Sequence, residues 1–504
     1  MALYLAIIML FSLVLIAIAS SNSKIRSSIS GCYASTKLVD TYNIKTKSDY
    51  KYLLFLTLTF LLSISLVLSN LKGFFIDYDS MSVQLNFLIK NNISLQIWEG
   101  RFFPLSHVDN AVILKIFGNF NALKIYLVAH LLVVTVLAFV AFNFLTVKQR
   151  VFLLCLFLLC PPIVNIYSSP IYSERNILLL FLLSFYWLRK AVKSENRYKE
   201  TLFIFLSVSA VYLTIFFKET TVLFIASFAA SSLLFKAIKV YSDKPDWKLT
   251  LFKSIHSLET LYIFSCFLWF IAFILLGGDV NPDYVAKRAD YSSLELILNN
   301  IAEITLFVLM SIVFIYRRKP DFYSSLYIAT IPMMLYSVFL YKAPGAFNIY
   351  PYYNYLFYIS MIIFANSLVR KKFSFYFLSV LTIFIALTVN GFIKFSSQVD
   401  DRQHVIDRLI ELSHAPDFAL TIDLESEWKE KNLARFLIYK IENIKLYHLH
   451  QSSLFCNDSL LYSANKTCTA VPIKNTDYFL TDIEQDLPDR ELISTNELKL
   501  YSGR

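Results

Sequence analysis

The sequence predicts a polytopic α-helical membrane protein of about twelve spans with a small soluble α/β domain at its C-terminal end. Three observations carry this. Hydrophobic residues make up 57% of the 504 and charged residues only 17%, against about 25% charged in a soluble domain. The apolar residues are gathered into runs long enough to cross a bilayer. The short loops between those runs are alternately rich and poor in Lys and Arg, which is the positive-inside pattern.

The formal net charge of +10 would suit a nucleic-acid partner, but its distribution would not. Residues 400–504 hold 12 Lys+Arg and 18 Asp+Glu, and the rest of the chain holds 35 and 19. The basic excess therefore sits among the apolar runs, in short loops. No nucleic acid is expected as a partner; membrane lipid is.

The first run, residues 2–20, has no basic residue in front of it and many behind: Lys24, Arg26, Lys37, Lys45, Lys47 and Lys51. A cleaved signal carries its charge in front, so the sequence predicts a retained helix with its N-terminus outside and residues 21–51 inside. Further spans are expected at 52–70, 122–145, 151–168, 177–190, 201–217, 221–237, 256–276, 296–316, 322–341, 352–368 and 374–394. Basic loops follow at Lys148-Gln149-Arg150, Arg189-Lys190, Lys236/Lys239, Arg317-Arg318-Lys319 and Arg370-Lys371-Lys372, all on the inner side. The outer segments are then 71–121, 169–176, 218–220, 277–295, 342–351 and the tail from 395.

Two domains are expected: a transmembrane domain, 1–394, with the external loop 71–121, and an extracytoplasmic soluble domain, 395–504. Within the tail, Phe418–Ile422, Ile444–Tyr447 and Asp477–Leu480 read as strands, with helical patterns at Val405–Leu412 and Glu427–Ile441. Cys456 and Cys468 are the only cysteines there and bracket a short polar segment. A disulfide between them would stabilise by roughly 3 kcal/mol in the chain-entropy model; the alternative is two free thiols. Cys155, Cys160 and Cys266 lie in apolar runs and read as small core residues.

The clustered chemistry falls in outer segments. Asp77 and Asp79 follow directly on the span 52–70, and in an extended stretch they share one side. Two such carboxylates could hold a divalent cation, or one could act as a general base; acidic residues also simply cap helices at a surface. Glu99, Gly100 and Arg101 come later in the same loop, and Arg101 is a fixed cation suited to a phosphate. Ser173-Glu174-Arg175 precedes the span 177–190, and Lys218-Glu219-Thr220 follows the span 201–217. Charges so close to apolar segments usually pair or work; a plain Glu–Arg or Lys–Glu interfacial pair is the simpler reading.

These three patches, in this order and on one side, resemble the GT-C superfamily of membrane glycosyltransferases. Asp77-Tyr78-Asp79 matches its aspartate motif at the start of a large first external loop, and Ser173-Glu174 its Ser-Glu at a later helix start. Lys218-Glu219-Thr220 is similar to a turn of the protein O-mannosyltransferase branch. The motifs cover residues 52–240, and the extra span 2–20 departs from the family's pattern. The resemblance implies a polyprenyl-phosphate-linked sugar donor, and transfer to a glycan, lipid or protein acceptor on the outer face. Asp77 or Asp79 would deprotonate the acceptor. Arg101, Lys218 or Arg175 would stabilise the departing phosphate, with Glu99, Glu174 and Glu219 as supporting acidic residues. A divalent cation, Mg or Mn, on Asp77 and Asp79 is compatible with this chemistry and is not required by it.

Other signals are weaker. Asn348, Tyr350, Tyr352, Tyr353 and Tyr355 gather around Pro351, as an interfacial aromatic belt or a sugar platform. Loop 277–295 carries Asp279, Asp283, Lys287, Arg288 and Asp290 and reads equally as a solvated loop. His448 and His450 alternate on a strand but make only two ligands. Two rival functions remain: an O-antigen-type polysaccharide polymerase or ligase, and a transporter of lipid-linked glycan. The first typically carries its large external loop late in the chain. The second favours glycine-broken helices, and the chain has 9 Gly in all. Lysine- and isoleucine-rich usage with short loops points to a bacterial inner membrane.

Overall fold

The computed structural model describes residues 2–24, 47–71, 97–98, 101–118, 120–170, 172–243, 245–276, 298, 300–317, 322–335, 355–368, 373–414, 419–424, 433–434, 437, 445–448, 453–455, 478–481, 491–495 and 498–502. Asp77, Asp79, Glu99, Cys456, Cys468, the loop 277–295 and the tyrosines at 350–353 lie outside them.

The first apolar run is the helix α1 (Ala2–Ser20), and the second lies in α2 (Lys47–Asn70). A short hairpin, β1 (Ile97–Trp98) and β2 (Arg101–Phe102), and the short helix α3 (Val108–Phe117) lead into α4 (Phe120–Ala141). Gly118 ends α3 in the left-handed conformation (φ 65°), and its N–H donates to Leu114 O at 2.8 Å; residues with a Cβ rarely adopt that backbone. Next come α5 (Val147–Leu158), α6 (Pro161–Ser168), α7 (Glu174–Val192), α8 (Arg197–Phe217), α9 (Thr220–Asp243), α10 (Trp247–Ile255) and α11 (Leu258–Leu276). The series closes with α12 (Ile301–Arg317), α13 (Phe322–Met334), α14 (Tyr355–Leu368) and α15 (Phe373–Leu412). Helix starts carry local signals: Thr146 and Gln149 form a capping box on α5, and the Asn196 side chain accepts from the Tyr198 and Lys199 N–H groups on α8.

Among the described residues, six helices are long and apolar enough to cross a membrane: α1, α2, α4, α8, α9 and α11. The chain is an integral membrane protein. The expected span 151–168 is broken: α5 and α6 meet at 58°, and together they make a seventh crossing if taken as one. Pro161 and Pro162 cannot continue the ladder of α5, so α6 restarts behind Cys160 with proline in its first turn. Serine 63 of α2 donates to the freed carbonyl of Leu158 at 3.0 Å, which is how a helix break survives away from water. The twelve crossings read from the sequence included α12, α13 and α14, of which 17, 13 and 14 helical residues fall among those described. α7 has 19 residues but carries Glu174, Arg175, Arg189 and Lys190 in its end turns.

Two apolar cores hold the bundle. One gathers α2, α4, α5, α6, α7, α13 and α14. The other gathers α1, α8, α9 and α11, with Phe102 of β2 inserted among them. The outward faces of α1 and α2 expose Leu3, Ile7, Leu10, Phe11, Leu54, Leu58 and Leu61, as lipid contact requires.

The tail holds a six-stranded mixed sheet in the order β5-β4-β3-β6-β8-β7, where β3 is Ala419–Asp423, β4 Lys445–His448, β5 Ser453–Phe455, β6 Tyr478–Thr481, β7 Glu491–Ser494 and β8 Lys499–Ser502. β3 pairs parallel with β4 and β6; the outer pairs are antiparallel. Val405, Ile406 and Leu409 of α15 pack against Leu420, Ile422, Leu480 and Leu500 of the sheet. α15 thus runs unbroken across 394/395, where the sequence suggested a domain boundary.

Candidate functional site

α7 and α8 are antiparallel neighbours, so the start of α7 and the end of α8 share one end of the bundle. The hydroxyl of Ser173 donates to Phe217 O at 3.1 Å and ties the two together. Glu174 sits in the first turn of α7, where the helix dipole favours a carboxylate. Lys218 is the extended residue that ends α8, where the dipole favours a cation. The two form a buried ion pair. Glu219 is half-buried in the turn, and the Thr221 and Val222 N–H groups close the first bonds of α9 onto the Lys218 and Glu219 carbonyls at 3.1 Å.

Arg175 turns the other way. Its side chain is 0% exposed, and its Nε and Nη2 both donate to Asp109 Oδ2, at 3.1 and 2.6 Å. Nη2 also reaches Asn110 Oδ1 at 2.8 Å, and Nη1 the Tyr172 carbonyl at 2.5 Å. Tyr126 of α4 donates to the same Asp109 oxygen at 2.9 Å, and its ring lies 5.6 Å below the guanidinium. The Asn110 amide donates to the Pro170 carbonyl. Behind Tyr126 stands His130, whose Nδ1 is 2.9 Å from the Tyr167 hydroxyl of α6. Helices α3, α4, α6 and α7 are thereby pinned at one buried polar knot.

Burial pushes the Asp109 carboxyl up, but the Arg175 guanidinium and the neighbouring Asn176, Arg175 and Tyr126 groups outweigh it and hold the carboxyl below the usual carboxylate range. His107, at the start of α3, is pushed down to about 4: burial disfavours its charge and outweighs the pull of Asp109, and Arg175 repels it further.

The hairpin closes the same end. Trp98 pairs with Arg101 and Ile97 with Phe102. The Phe102 ring packs against Phe216, Trp269 and Phe273, with centroids 6.0, 6.1 and 6.1 Å away. The Leu105 N–H donates to Phe216 O at 3.1 Å. The segment that follows Arg101 is thus fastened to the last turn of α8 through Phe102 and Leu105.

Tyr355, grouped in the sequence with the tyrosines around Pro351, is buried beside Thr221 and Glu174. One turn inward from the ion pair begins an apolar cavity of about 190 Å³, lined by Leu178, Phe224 and Leu356 near the pair and by Phe142, Phe185 and Leu188 at its far end.

The sequence reading therefore meets the structure unevenly. Glu174, Arg175, Lys218 and Glu219 come together at one end of the bundle; Asp77, Asp79, Glu99 and the Arg101 side chain lie outside what the structure describes. Ion pairs form across patches: Glu174 with Lys218, and Arg175 with Asp109. Asp109, Asn110, Tyr126, His130 and Tyr167 were not singled out. The sequence signal that points to them is His107-Val108-Asp109-Asn110, a polar cluster within the outer segment 71–121. Among the described residues, no three His, Cys, Asp or Glu side chains are placed to hold a metal ion.

The sequence matches no protein-family model and no curated protein. Among solved structures, the chain is similar to the Archaeoglobus fulgidus oligosaccharyltransferase tethered by a disulfide bond to an acceptor peptide containing the NVT sequon. The TM-score is 0.46 and the identity 10%, over 78% of this chain and 63% of that one. It is also similar to the archaeal oligosaccharyltransferase AglB from Archaeoglobus fulgidus in complex with an inhibitory peptide and a dolichol-phosphate, with TM-score 0.45 and 12% identity over 79% and 64%. A third likeness, to the A. fulgidus oligosaccharyltransferase complex with Zn and sulfate, has TM-score 0.43 and 10% identity over 84% and 67%. The chain spans about two thirds of the length of these proteins, 63% and 64% in the first two.

Proposed function

We propose that this chain is a membrane glycosyltransferase of the GT-C kind. It moves a sugar from a polyprenyl-phosphate-linked donor to a glycan, lipid or protein acceptor at the outer face of a bacterial inner membrane. The observation that carries the reading is the buried Glu174–Lys218 pair at one end of the bundle, the end assigned to the outside by the basic loops; the segment after Arg101 is fastened to that end through Phe102 and Leu105. The apolar cavity of about 190 Å³ that begins one turn below the Glu174–Lys218 pair has room for an isoprene-sized part of such a donor's chain, since a dry apolar cavity of roughly 150 Å³ takes a molecule the size of benzene.

In the proposed reaction, Asp77 or Asp79 takes the proton of the acceptor hydroxyl. The acceptor oxygen bonds to the anomeric carbon as the bond from that carbon to the phosphate oxygen breaks, with inversion. The electron pair leaves with the phosphate, and Arg101 and Lys218 stabilise its charge. Arg175 is held by Asp109, so its part is to fix the start of α7. Glu99 and Glu219 would act as supporting acidic residues. A divalent cation, if used, would rest on Asp77 and Asp79; no step here passes through it.

The test is sugar transfer by purified Asp77→Asn and Asp79→Asn variants. Loss of a general base costs typically 10²–10⁴-fold, with insertion and expression unchanged. Wild-type transfer by both single variants overturns the assignment. A defect in Arg101→Ala with none at either aspartate would instead favour a lipid-phosphate binding or transport site.

A further inference from the structure

We propose that α10 lies in the headgroup layer at the inner end of the bundle and is a binding surface for anionic phospholipid. Trp247, Phe252 and Ile255 enter the acyl boundary, and Lys24 and Lys248 meet the phosphates.

α10 has 9 residues, about 14 Å at 1.5 Å per residue. That is under half of a hydrocarbon core of about 30 Å, so it cannot cross. Its neighbours fix its level. It joins α9 to α11, and Lys236 of α9 donates to Glu259, in the first turn of α11, at 2.7 Å. Both helices therefore reach the same end of the bundle, the one that the basic loops assign to the inside. Asp246 starts α10: its side chain accepts from the Lys248 N–H at 2.9 Å, and its carbonyl from the Thr250 N–H at 3.0 Å.

Large apolar side chains gathered on one exposed face mark an interaction surface. Trp247, Phe252 and Ile255 are 64%, 47% and 51% exposed. At 3.6 residues per turn they fall, with Lys248, within an arc of about 140°, so they make one face. That face carries on from the lipid-facing stripe of α9, where Leu234, Ile238 and Tyr241 are exposed at spacings of four and three residues. A tryptophan with aliphatic and aromatic neighbours at the end of such a stripe is placed as an interfacial anchor.

Charge selects the lipid. The Lys24 ammonium, just beyond α1, stands 4.7 Å from the centre of the Phe252 ring. Lys248 is exposed on the same face, its ammonium 6.0 Å from the Trp247 ring. Around them the sequence carries Lys236, Lys239, Lys244 and Lys253 against Asp243 and Asp246. Lysine stems run along apolar surface and bring their charge to the headgroup level, where a basic segment attracts anionic lipid. A zwitterionic headgroup offers no net charge to match.

The test uses the full chain in nanodiscs of mixed phosphatidylglycerol and phosphatidylcholine. The chain has 5 Trp, so Trp247 is read as the difference in emission between wild type and Trp247→Phe. One lipid at a time carries bromine near the glycerol end of its acyl chains, where it quenches an indole in contact with it. Both brominated lipids should quench the Trp247 emission, and phosphatidylglycerol should act as though enriched severalfold over its mole fraction. Lys24→Gln and Lys248→Gln should each lower that enrichment, by up to roughly fivefold per lysine, and added salt should lower it in the wild type.

Equal quenching by the two lipids would show a lipid-facing helix with no choice of headgroup. Enrichment that neither lysine substitution changes would show that the selection arises elsewhere. Either result overturns the proposal. Trp247 emission that neither lipid quenches would put α10 in water or against another protein, and overturns it as well.

Discussion

Glu174 and Arg175 are adjacent in sequence and serve different partners, because neighbouring residues on an α-helix point about 100° apart. One faces α8 and closes on Lys218; the other faces α3 and closes on Asp109. Removing one member of such a buried pair leaves an uncompensated charge, at a cost of about 3–5 kcal/mol. His107 lies within the field of the second pair, and its titration should be visible in stability. Its value falls from 6.5 to about 4 on folding, so the folded chain binds fewer protons than the unfolded chain between those limits. The stability this contributes is fully present above pH 6.5 and is lost as the pH falls to about 4. Below that, Asp109, held low by Arg175, loses its charge and adds to the loss. The His107 part is worth up to roughly 3 kcal/mol. Thermal melting in detergent between pH 7.5 and pH 4.5 should show a fall in Tm that is shallower in His107→Gln. Parallel curves for the two proteins would show that His107 does not titrate in this way.

α1 is where helix packing and chain processing meet. It lies against α8 and α11 and buries Leu5, Ser12, Ile16 and Ser20, while its opposite face stays exposed for lipid. Cleavage after the first apolar run would uncover the partner faces on α8 and α11. Intact mass measurement of the purified protein should therefore include residues 1–20; a mature chain beginning near Ser21 would show that α1 is a removed signal. The extent of this helix was legible because an apolar run ends where lipid ends. The same logic blurs other elements. α2, α7 and α8 begin at Lys47, Glu174 and Arg197, since a helix continues past the apolar stretch when its charged ends can reach water or a partner. α15 continues 18 residues beyond 394 to Leu412 because its later turns find an apolar partner in the tail sheet, which hydropathy does not register. The break between α5 and α6 was written in Pro161-Pro162, but a count of apolar residues passes over proline.

Across the whole molecule the charges separate into two ends with different chemistry. At one end are the Glu174–Lys218 and Asp109–Arg175 pairs. At the other, Arg150 and Arg189 donate to the Phe139 and Ala141 carbonyls at 3.3 and 2.7 Å, at the C-terminal end of α4, and Lys236 and Ser232 close on Glu259 at 2.7 and 2.8 Å. The ends were legible in the sequence because loop charge follows sidedness. The Asp109–Arg175 knot was not, because its members are 66 residues apart and no local pattern couples them. Sidedness also predicts where the tail lies. The basic Arg370-Lys371-Lys372 precedes α15, and the residues beyond it carry an acidic excess, with 18 Asp+Glu against 12 Lys+Arg from 400 onward. Lys and Arg close to the end of a span are retained in the cytoplasm, so α15, which follows Arg370-Lys371-Lys372, should leave the bilayer on the side of the Glu174–Lys218 pair. A reporter that is active only outside the cytoplasm, fused after Arg504, should be active, and the same reporter inserted in the loop at Lys193 should be silent. Activity at Arg504 from a reporter that works only in the cytoplasm would reverse the orientation. It would also put the proposed phosphate cations on the inner face, where transfer would have to draw on a donor still facing the cytoplasm.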